Sequence, residues 1–357
     1  MKSSSNPTLR DVAGALGMHK STVSLALSGK GNVSAATRQR VLAVASQMGY
    51  APNPLAQRLA RGHRNGPVCL FCGALDLGLA TEKIILIQKG LNALGLEVPI
   101  HVCADESGAA TQAEQVRHLC RQRPRAVILA SYMVGDAVLP ELDAYRREGG
   151  VVVSYDTPVP LECDQVIFDR EDNAYRAARH LFERGHRRVG VGMSRITGRG
   201  AGSASDPQPY RLRGFRRAFA EFGAEMRPEW SFRTAPYETG GIETARLLLA
   251  LPDRPTAMCV VNDYLALGLM VEAMRAGVRV PEELSIVSHD NQPVADLCPV
   301  PLTSVTHPSA RIAEAVVELL TARLTGEVAP DAPPRTVTVI GELVERASVA
   351  SWNGENP

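Results

Sequence analysis

Between residues 9 and 48 the apolar side chains recur every three or four positions. Leu9, Val12, Ala13 and Leu16 form one set, Val23, Ala26 and Leu27 a second, and Val41, Leu42, Ala45 and Met48 a third. Each set falls on one helical face, which predicts three short amphipathic helices around a shared core. From about residue 67 the period changes. The apolar runs VCLFCG, VPIHVCA, AVILA, VVVSYD, QVIFD, RRVGVGM, AMCVVN and LSIVSHD alternate with EKIILIQKGLNALG, NAYRAARHLFERG and DYLALGLMVEAMRAG. Short continuous runs separated by helical patterns predict strands of parallel sheets covered by helices. About 280 residues of such alternation predict two lobes rather than one. The fold expected is therefore an all-α head joined to an α/β two-lobed body.

Local signals set the ends of the first helices. Thr8 followed by Asp11 fits a capping box, and Gly17 suits the left-handed residue that ends a helix. A second helix follows at roughly 19–27, and small Ala13 lets the two approach across a tight turn. This is a helix-turn-helix, with Lys20, Ser21, Thr22 and Ser24 near the start of the helix that reaches base edges. A third helix begins at Ser34. Beyond it, YAPNPLAQRLARGHRNG carries Pro52 and Pro54, which break one helix and open another. PLAQRLAR is too short to hold as an isolated helix and needs a partner surface. The expected organisation is a DNA-binding head at 1–50, a hinge helix and linker at 51–66, a body at 67–349 and a tail at 350–357.

Charge sharpens this reading. The net charge of +1 hides a basic head: residues 1–65 hold three Lys and six Arg against the single acid Asp11, so the remainder is acidic. A basic head on an acidic body is the footprint of a nucleic-acid binder. No window approaches the 18 apolar residues of a membrane span, and MKSSSNPTLRD lacks the apolar stretch of a secretory signal, so a cytoplasmic protein is expected. The seven scattered cysteines suit reduced thiols, and Cys69 and Cys72 in VCLFCG read as residues on opposite faces of a buried strand. No metal or cofactor is expected.

TLRDVAGALGMHKSTVSLALSGKGNVSAATRQRVL and GYAPNPLAQRLARG together resemble the DNA-binding head of the lactose-repressor (LacI/GalR) family of bacterial transcription regulators, and the resemblance continues to about residue 349. It implies two heads of a homodimer on a pseudo-palindromic operator, with the second helix in the major groove. It also implies hinge helices that bend the DNA at the minor groove, with Leu59 as the apolar wedge and Leu55 the lesser candidate. The positions implied to touch DNA are Thr8, His19, Lys20, Ser21, Thr22, Ser24, Leu25, Asn32, Asn53, Leu55, Arg58 and Leu59. Two of them depart from the family. Leu25 stands where an arginine usually follows Val-Ser, and His19 replaces a hydroxyl cap.

In open parallel sheets ligands bind beyond the carboxyl ends of the strands. Asp156, Asn262 with Asp263, and Asp290 with Asn291 all fall at such ends, and Asp263 reads as the cap of the next helix. The family's body resembles a type I periplasmic binding protein whose lobes close on a small molecule. That implies an effector site of Asp156, Arg211, Asn262 and Asp290, with His307 and Tyr237 less firmly placed. Arg211 offers a fork of donors to a carboxylate, a phosphate or a ring oxygen. GALDLGLATEK departs from the family's pocket-mouth loop, and SRITGRGAGSASDPQP reads as a long flexible loop.

The function expected is an operator-binding regulator, a repressor, controlled by a sugar or sugar derivative. The alternatives are a regulator answering to a protein partner or a non-sugar corepressor, and an enzyme fused to a DNA-binding head. No GxSxG, HExxH or GxxxxGK[ST] sequence is present, so no enzyme is expected.

Overall fold

The computed structural model describes residues 7–28, 33–50, 66–73, 75, 78–103, 109–132, 134–195, 202–204 and 206–354. Asn32, Asn53, Leu55, Arg58 and Leu59 lie outside the described residues. The chain divides between Gly66 and Pro67 into two compact units.

The first unit is three helices: α1 (Leu9–Leu16), α2 (Lys20–Ser28) and α3 (Ala35–Gln47). The capping box forms. The Thr8 amide and hydroxyl both donate to Asp11 Oδ2 at 2.7 Å, and the Asp11 amide donates back to Thr8 Oγ1 at 3.4 Å. Gly17 ends α1 at φ +63°, where a Cβ would be strained. Val12, Ala13, Val23, Ala26, Val41 and Ala45 make the core, with Leu9, Leu16, Leu27 and Met48 packed at its edge. Leu42 was expected in this core and is 49% exposed. Val41 and Ala45 already face α1 and α2, and Leu42 is turned about 100° away from Val41 on the helix.

The second unit holds two six-stranded sheets. The first has the order β11-β5-β4-β3-β1-β2, from β1 (Val68–Cys72), β2 (Ile100–Val102), β3 (Ala126–Ala130), β4 (Val151–Asp156), β5 (Asp164–Phe168) and β11 (Thr336–Val339). All its pairings are parallel. The second sheet repeats the order as β12-β10-β9-β8-β6-β7, from β6 (Val189–Ser194), β7 (Ser231–Thr234), β8 (Ala257–Val260), β9 (Ser285–Asp290), β10 (Thr303–Thr306) and β12 (Leu343–Val344). Only the β10–β12 pair is antiparallel.

Helices cover both faces of each sheet. On the first, α4 (Leu79–Ala93) and α12 (Ser309–Thr325) bury Ile84, Ile87, Ile312 and Val316 on one side, while α5 (Ala109–Arg121) and α6 (Leu139–Arg147) bury Val116, Leu119 and Leu142 on the other. On the second, α7 (Arg170–Glu183) and α8 (Gln208–Glu221) face one side, and α9 (Tyr237–Leu249) and α10 (Asp263–Arg275) the other. A short α11 (Val294–Leu297) follows β9. Cys72 and Cys69 lie in the clusters on opposite faces of the first sheet, and both are free thiols. This is the alternation a buried strand imposes.

The chain passes between the sheets three times: from β5 into α7, from β10 into α12, and from β11 into β12. Backbone bonds tie these crossings together. Asp169 N donates to Val339 O at 2.9 Å and Thr306 N to Glu342 O at 2.8 Å. The Asn173 side chain adds two more bonds, donating to Thr306 O at 3.1 Å and accepting from Gly341 N at 2.9 Å.

The expected tail is part of the body over its first residues. Trp352 N donates to Arg184 O at 2.7 Å, its ring stacks on His186 with centroids 5.7 Å apart, and Ala350 N donates to Ser285 Oγ at 3.0 Å. No helix among the described residues is long and apolar enough to cross a membrane.

Candidate DNA-reading helix and inter-lobe site

Helix α2 presents two unlike faces. Val23 and Ala26 are fully buried against the three-helix core, while Lys20, Ser21, Ser24 and Leu25 are exposed and Thr22 half-exposed. Positions 20, 21, 24 and 25 share one side of a helix, so the outward face carries a cation, two hydroxyls and an aliphatic side chain. His19 precedes the helix. Its carbonyl accepts from Thr22 N and Val23 N, and its Nδ1 lies 2.8 Å from Ser21 Oγ. The Thr8 hydroxyl is committed to Asp11, which makes Thr8 a helix cap first.

In the body the predicted residues sort themselves by strand end. Asp156 ends β4 and Asp290 ends β9, the third strand from the same edge of each sheet. Both take positive φ, +95° and +99°, a conformation that costs a residue with a Cβ roughly 1–3 kcal/mol and concentrates at functional sites. Asp156 is buried, and both its oxygens are taken. Lys83 Nζ donates to Oδ2 and Arg170 Nη2 to Oδ1, while Arg170 Nη1 reaches the Asp156 carbonyl at 3.1 Å. Lys83 Nζ also donates to His307 Nε2 at 3.0 Å.

That bond requires an unprotonated Nε2, and His307 meets the requirement. Burial first, then Lys83, Arg170 and Arg211, hold its imidazole well below the usual range. Its ring packs edge-on to Phe168 with centroids 4.0 Å apart. The Arg170 guanidinium lies 5.3 Å from the ring centroids of both Tyr132 and Phe168. Burial lowers Arg170 to about 10.

Arg211, on the first turns of α8, is half-buried; burial lowers it, and Tyr132, Arg170 and Asp290 are among the charged and polar groups that act on it. Burial pushes Asp290 up to about 7, with Asp263 adding to the rise and Arg211, Arg170 and Lys83 opposing it. Asn262, not Asp263, caps α10: its Oδ1 accepts from Leu265 N at 2.8 Å. Asp263 was expected at that cap and is instead fully buried, accepting from Ser288 Oγ, from Ser304 Oγ at 2.7 Å and from Gln292 N at 2.6 Å. It staples β9, β10 and the loop after β9. Tyr237 opens α9 at φ +63°, 46% exposed and edge-on to Tyr264 at 6.2 Å.

The structure thus brings Asp156, Arg211, Asp290 and His307 to one place, sets Asn262 at a neighbouring strand end and leaves Tyr237 on the surface. Two members were missed by sequence reasoning, Lys83 and Arg170. Arg170 follows QVIFD directly, so the strand-end rule that found Asp156 at the close of VVVSYD would have found it if applied evenly. Lys83 shares the buried stripe of α4 with Ile87, and a cation on an apolar stripe is the signal for it.

A pocket of about 380 Å³ opens beside the cluster, lined by Thr157, Phe168, Arg170, Tyr210, Arg213 and Arg217 among others. It meets the cluster through Arg170 and through Phe168, against which His307 packs. From the loop after β6, Ala204 N donates to both oxygens of Asp136 on the other lobe, at 3.0 and 3.2 Å.

Comparison with known proteins fits both units. Residues 8–53 match the model of bacterial regulatory proteins of the lacI family, and residues 178–349 match a periplasmic binding protein-like domain. The chain belongs to the LacI family. An HTH-type transcriptional repressor PurR of Photobacterium profundum is 28% identical over 365 residues, 97% of this chain and 99% of that protein. The lac repressor dimer bound to operator and the anti-inducer ONPF superposes with a TM-score of 0.83 at 24% identity, covering 97% of this chain and 100% of that one. The transcriptional regulator CelR in complex with cellobiose does so at 0.67 and 25%, covering 96% and 99%. This LacI-family chain is a DNA-binding transcriptional repressor, and α2 is the second helix of its helix-turn-helix.

Proposed function

We propose that this repressor binds a pseudo-palindromic operator as a homodimer and that a small hydroxylated ligand, a sugar or sugar derivative, held between the two lobes sets its operator affinity. One observation carries the reading. Asp156, Arg170, Arg211, Asp290 and His307 converge from both lobes onto the ends of equivalent strands and the crossings that join them. A ligand bridging those groups binds one lobe arrangement better than another, and that difference is what shifts a conformational equilibrium. The CelR–cellobiose complex, of similar fold and size, supports a sugar-class ligand. The operator-bound lac repressor dimer supports two-fold binding.

The body acts as a sensor and not as an enzyme in this reading. The acid best placed to act, Asp156, is spent on two cations, and His307 accepts from Lys83. The hinge segment 51–66 then couples the sensor to DNA, with Leu55, Arg58 and Leu59 at the minor groove as the family resemblance implies. The protein works where the DNA is, in the bacterial cytoplasm.

The reading is tested by mapping which fragments of sheared genomic DNA the purified protein retains. A two-fold symmetric site beside transport or catabolic genes is the expected result. Retention that is salt-sensitive but blind to sequence, with no compound from a metabolite panel restoring selectivity, would remove the operator-binding claim.

A further inference from the structure

We infer that the inter-lobe site takes an organic anion, a hydroxylated carboxylate or phosphate ester, gripped by Arg170 and Arg211; this rests on the ligand-control reading above. The argument is charge balance. Three cations, Lys83, Arg170 and Arg211, meet two acids, Asp156 and Asp290, while His307 is neutral; a third acid, Asp206, acts on Arg211 without an ion pair, its oxygens accepting from Gly202 N and Gln208 N before α8. Asp156 is shared by Lys83 and Arg170, so its single charge answers two. The Arg211 guanidinium makes no hydrogen bond or ion pair among the described residues, and Arg170 beside it repels it. The Arg170 Nε is buried without a partner as well.

Asp290 does not close the balance, because its burial first and then Asp263 oppose its ionisation. A neutral polyol would leave the excess positive charge where it is. An anion supplies the missing counter-charge: the Arg211 guanidinium offers a planar fork that matches a carboxylate or a phosphate in shape, and the Arg170 Nε offers one further donor.

The polar groups around the arginines add the hydroxyl requirement. Gln208 Oε1, one turn before Arg211 on α8, and Asn291 Oδ1, next to Asp290, are buried acceptors without donors. Hydroxyl groups are the donors that satisfy them without adding charge. The Asn262 amide nitrogen, whose partner oxygen is fixed by the α10 cap, offers a further donor.

The test is thermal melting of the full chain at constant ionic strength with millimolar inorganic phosphate, acetate, D-gluconate and D-glucose 6-phosphate, against D-glucose and D-glucitol. Anions raise the wild-type melting temperature, the hydroxylated ones most, and the neutral polyols do not. Acetate with gluconate, set against phosphate with the sugar phosphate, separates the two sources of charge. In Arg211→Gln the anion affinity drops by about tenfold or more, while Arg275→Gln, exposed on α10, behaves as wild type.

Equal shifts in wild type and Arg211→Gln, or no shift from any anion, overturn the inference. If neutral polyols alone shift in an Arg211-dependent way, the anion claim falls and the ligand-control reading stands. If neither class depends on Arg211, both fall. Should Arg211→Gln fail to fold, Arg211→Lys keeps the charge and loses the fork; a several-fold weaker anion response is then expected, and an undiminished one overturns the fork.

Discussion

Asp156 and Asp290 occupy the same place twice. Each ends the corresponding central strand of its sheet and each holds a positive φ, yet their partners differ. Asp156 is closed by Lys83 and Arg170, whereas the Asp290 carboxylate has no hydrogen bond or ion pair among the described residues and its ionisation is opposed by burial. The duplicated fold has made one of the pair a structural anchor and left the other without a paired cation.

The anchor has a measurable cost when broken. Asp156→Ala leaves two buried cations without their counter-ion, a change of about 3–5 kcal/mol in stability. Lys83→Met removes one cation while Arg170 keeps Asp156 satisfied, so it should cost far less. The double variant Lys83→Met with Asp156→Ala should be more stable than the sum of its parts predicts. Chemical denaturation of the four proteins checks this, and strict additivity would mean the cluster is not coupled.

Asp290 gives the body a pH dependence of definite sign. A carboxyl raised to about 7 in the folded protein keeps a proton that the unfolded chain has released above about pH 4. The folded state therefore binds more protons across that window. The resulting stability is full below it and is lost as pH rises through about 7. Asp290 is part-exposed, so the effect is discounted for solvent. Compared with Asp290→Asn, the wild type should gain about 1–2 kcal/mol on going from about pH 8 to about pH 5. The buried histidines pull the other way in both proteins and cancel in the difference. A gap that stays constant with pH would place the proton elsewhere.

Leu25 is 44% exposed on the outward face of α2, beside Ser21 and Ser24. An aliphatic side chain there suits the methyl group of thymine and cannot make the two-pronged contact to guanine that an arginine makes. Leu25→Arg should move the preferred base at one operator position from thymine toward guanine by about 1–3 kcal/mol. Binding selection on a randomised operator reads this directly, and an unchanged base preference removes Leu25 from the readout.

Leu59→Ala addresses the hinge. The wedge role implied by the family resemblance predicts a loss of several kcal/mol in operator binding with nonspecific binding nearly intact. Competition assays with operator and random DNA separate the two, and equal losses on both would refute the wedge.

Sequence patterning exposed the architecture well where one period dominated. The helical stripes of α1 and α2 and the runs that became β1, β3, β4 and β9 are continuous and flanked by turns. β7, β10, β11 and β12 were missed because they are short, and SFRT and TVTV carry polar side chains that do not read as buried runs. Asp156, Arg211, Asp290 and His307 were legible from strand ends and family positions. Lys83 was not, because an amphipathic helix is read for what its stripe shares and not for its one charged exception. The exchange of roles between Asn262 and Asp263 was equally hidden, since both residue types cap helices and only Ser288 and Ser304, distant in sequence, decide between them.

The account stands or falls on whether the inter-lobe site governs the head. The direct measurement is operator affinity, by fluorescence anisotropy, with and without the compound that most raises the melting temperature, in wild type and in Arg211→Gln. The account predicts a change of about tenfold or more in the wild type and little or none in the variant. An operator affinity that does not move while the compound is bound, or that moves equally in both proteins, would contradict it.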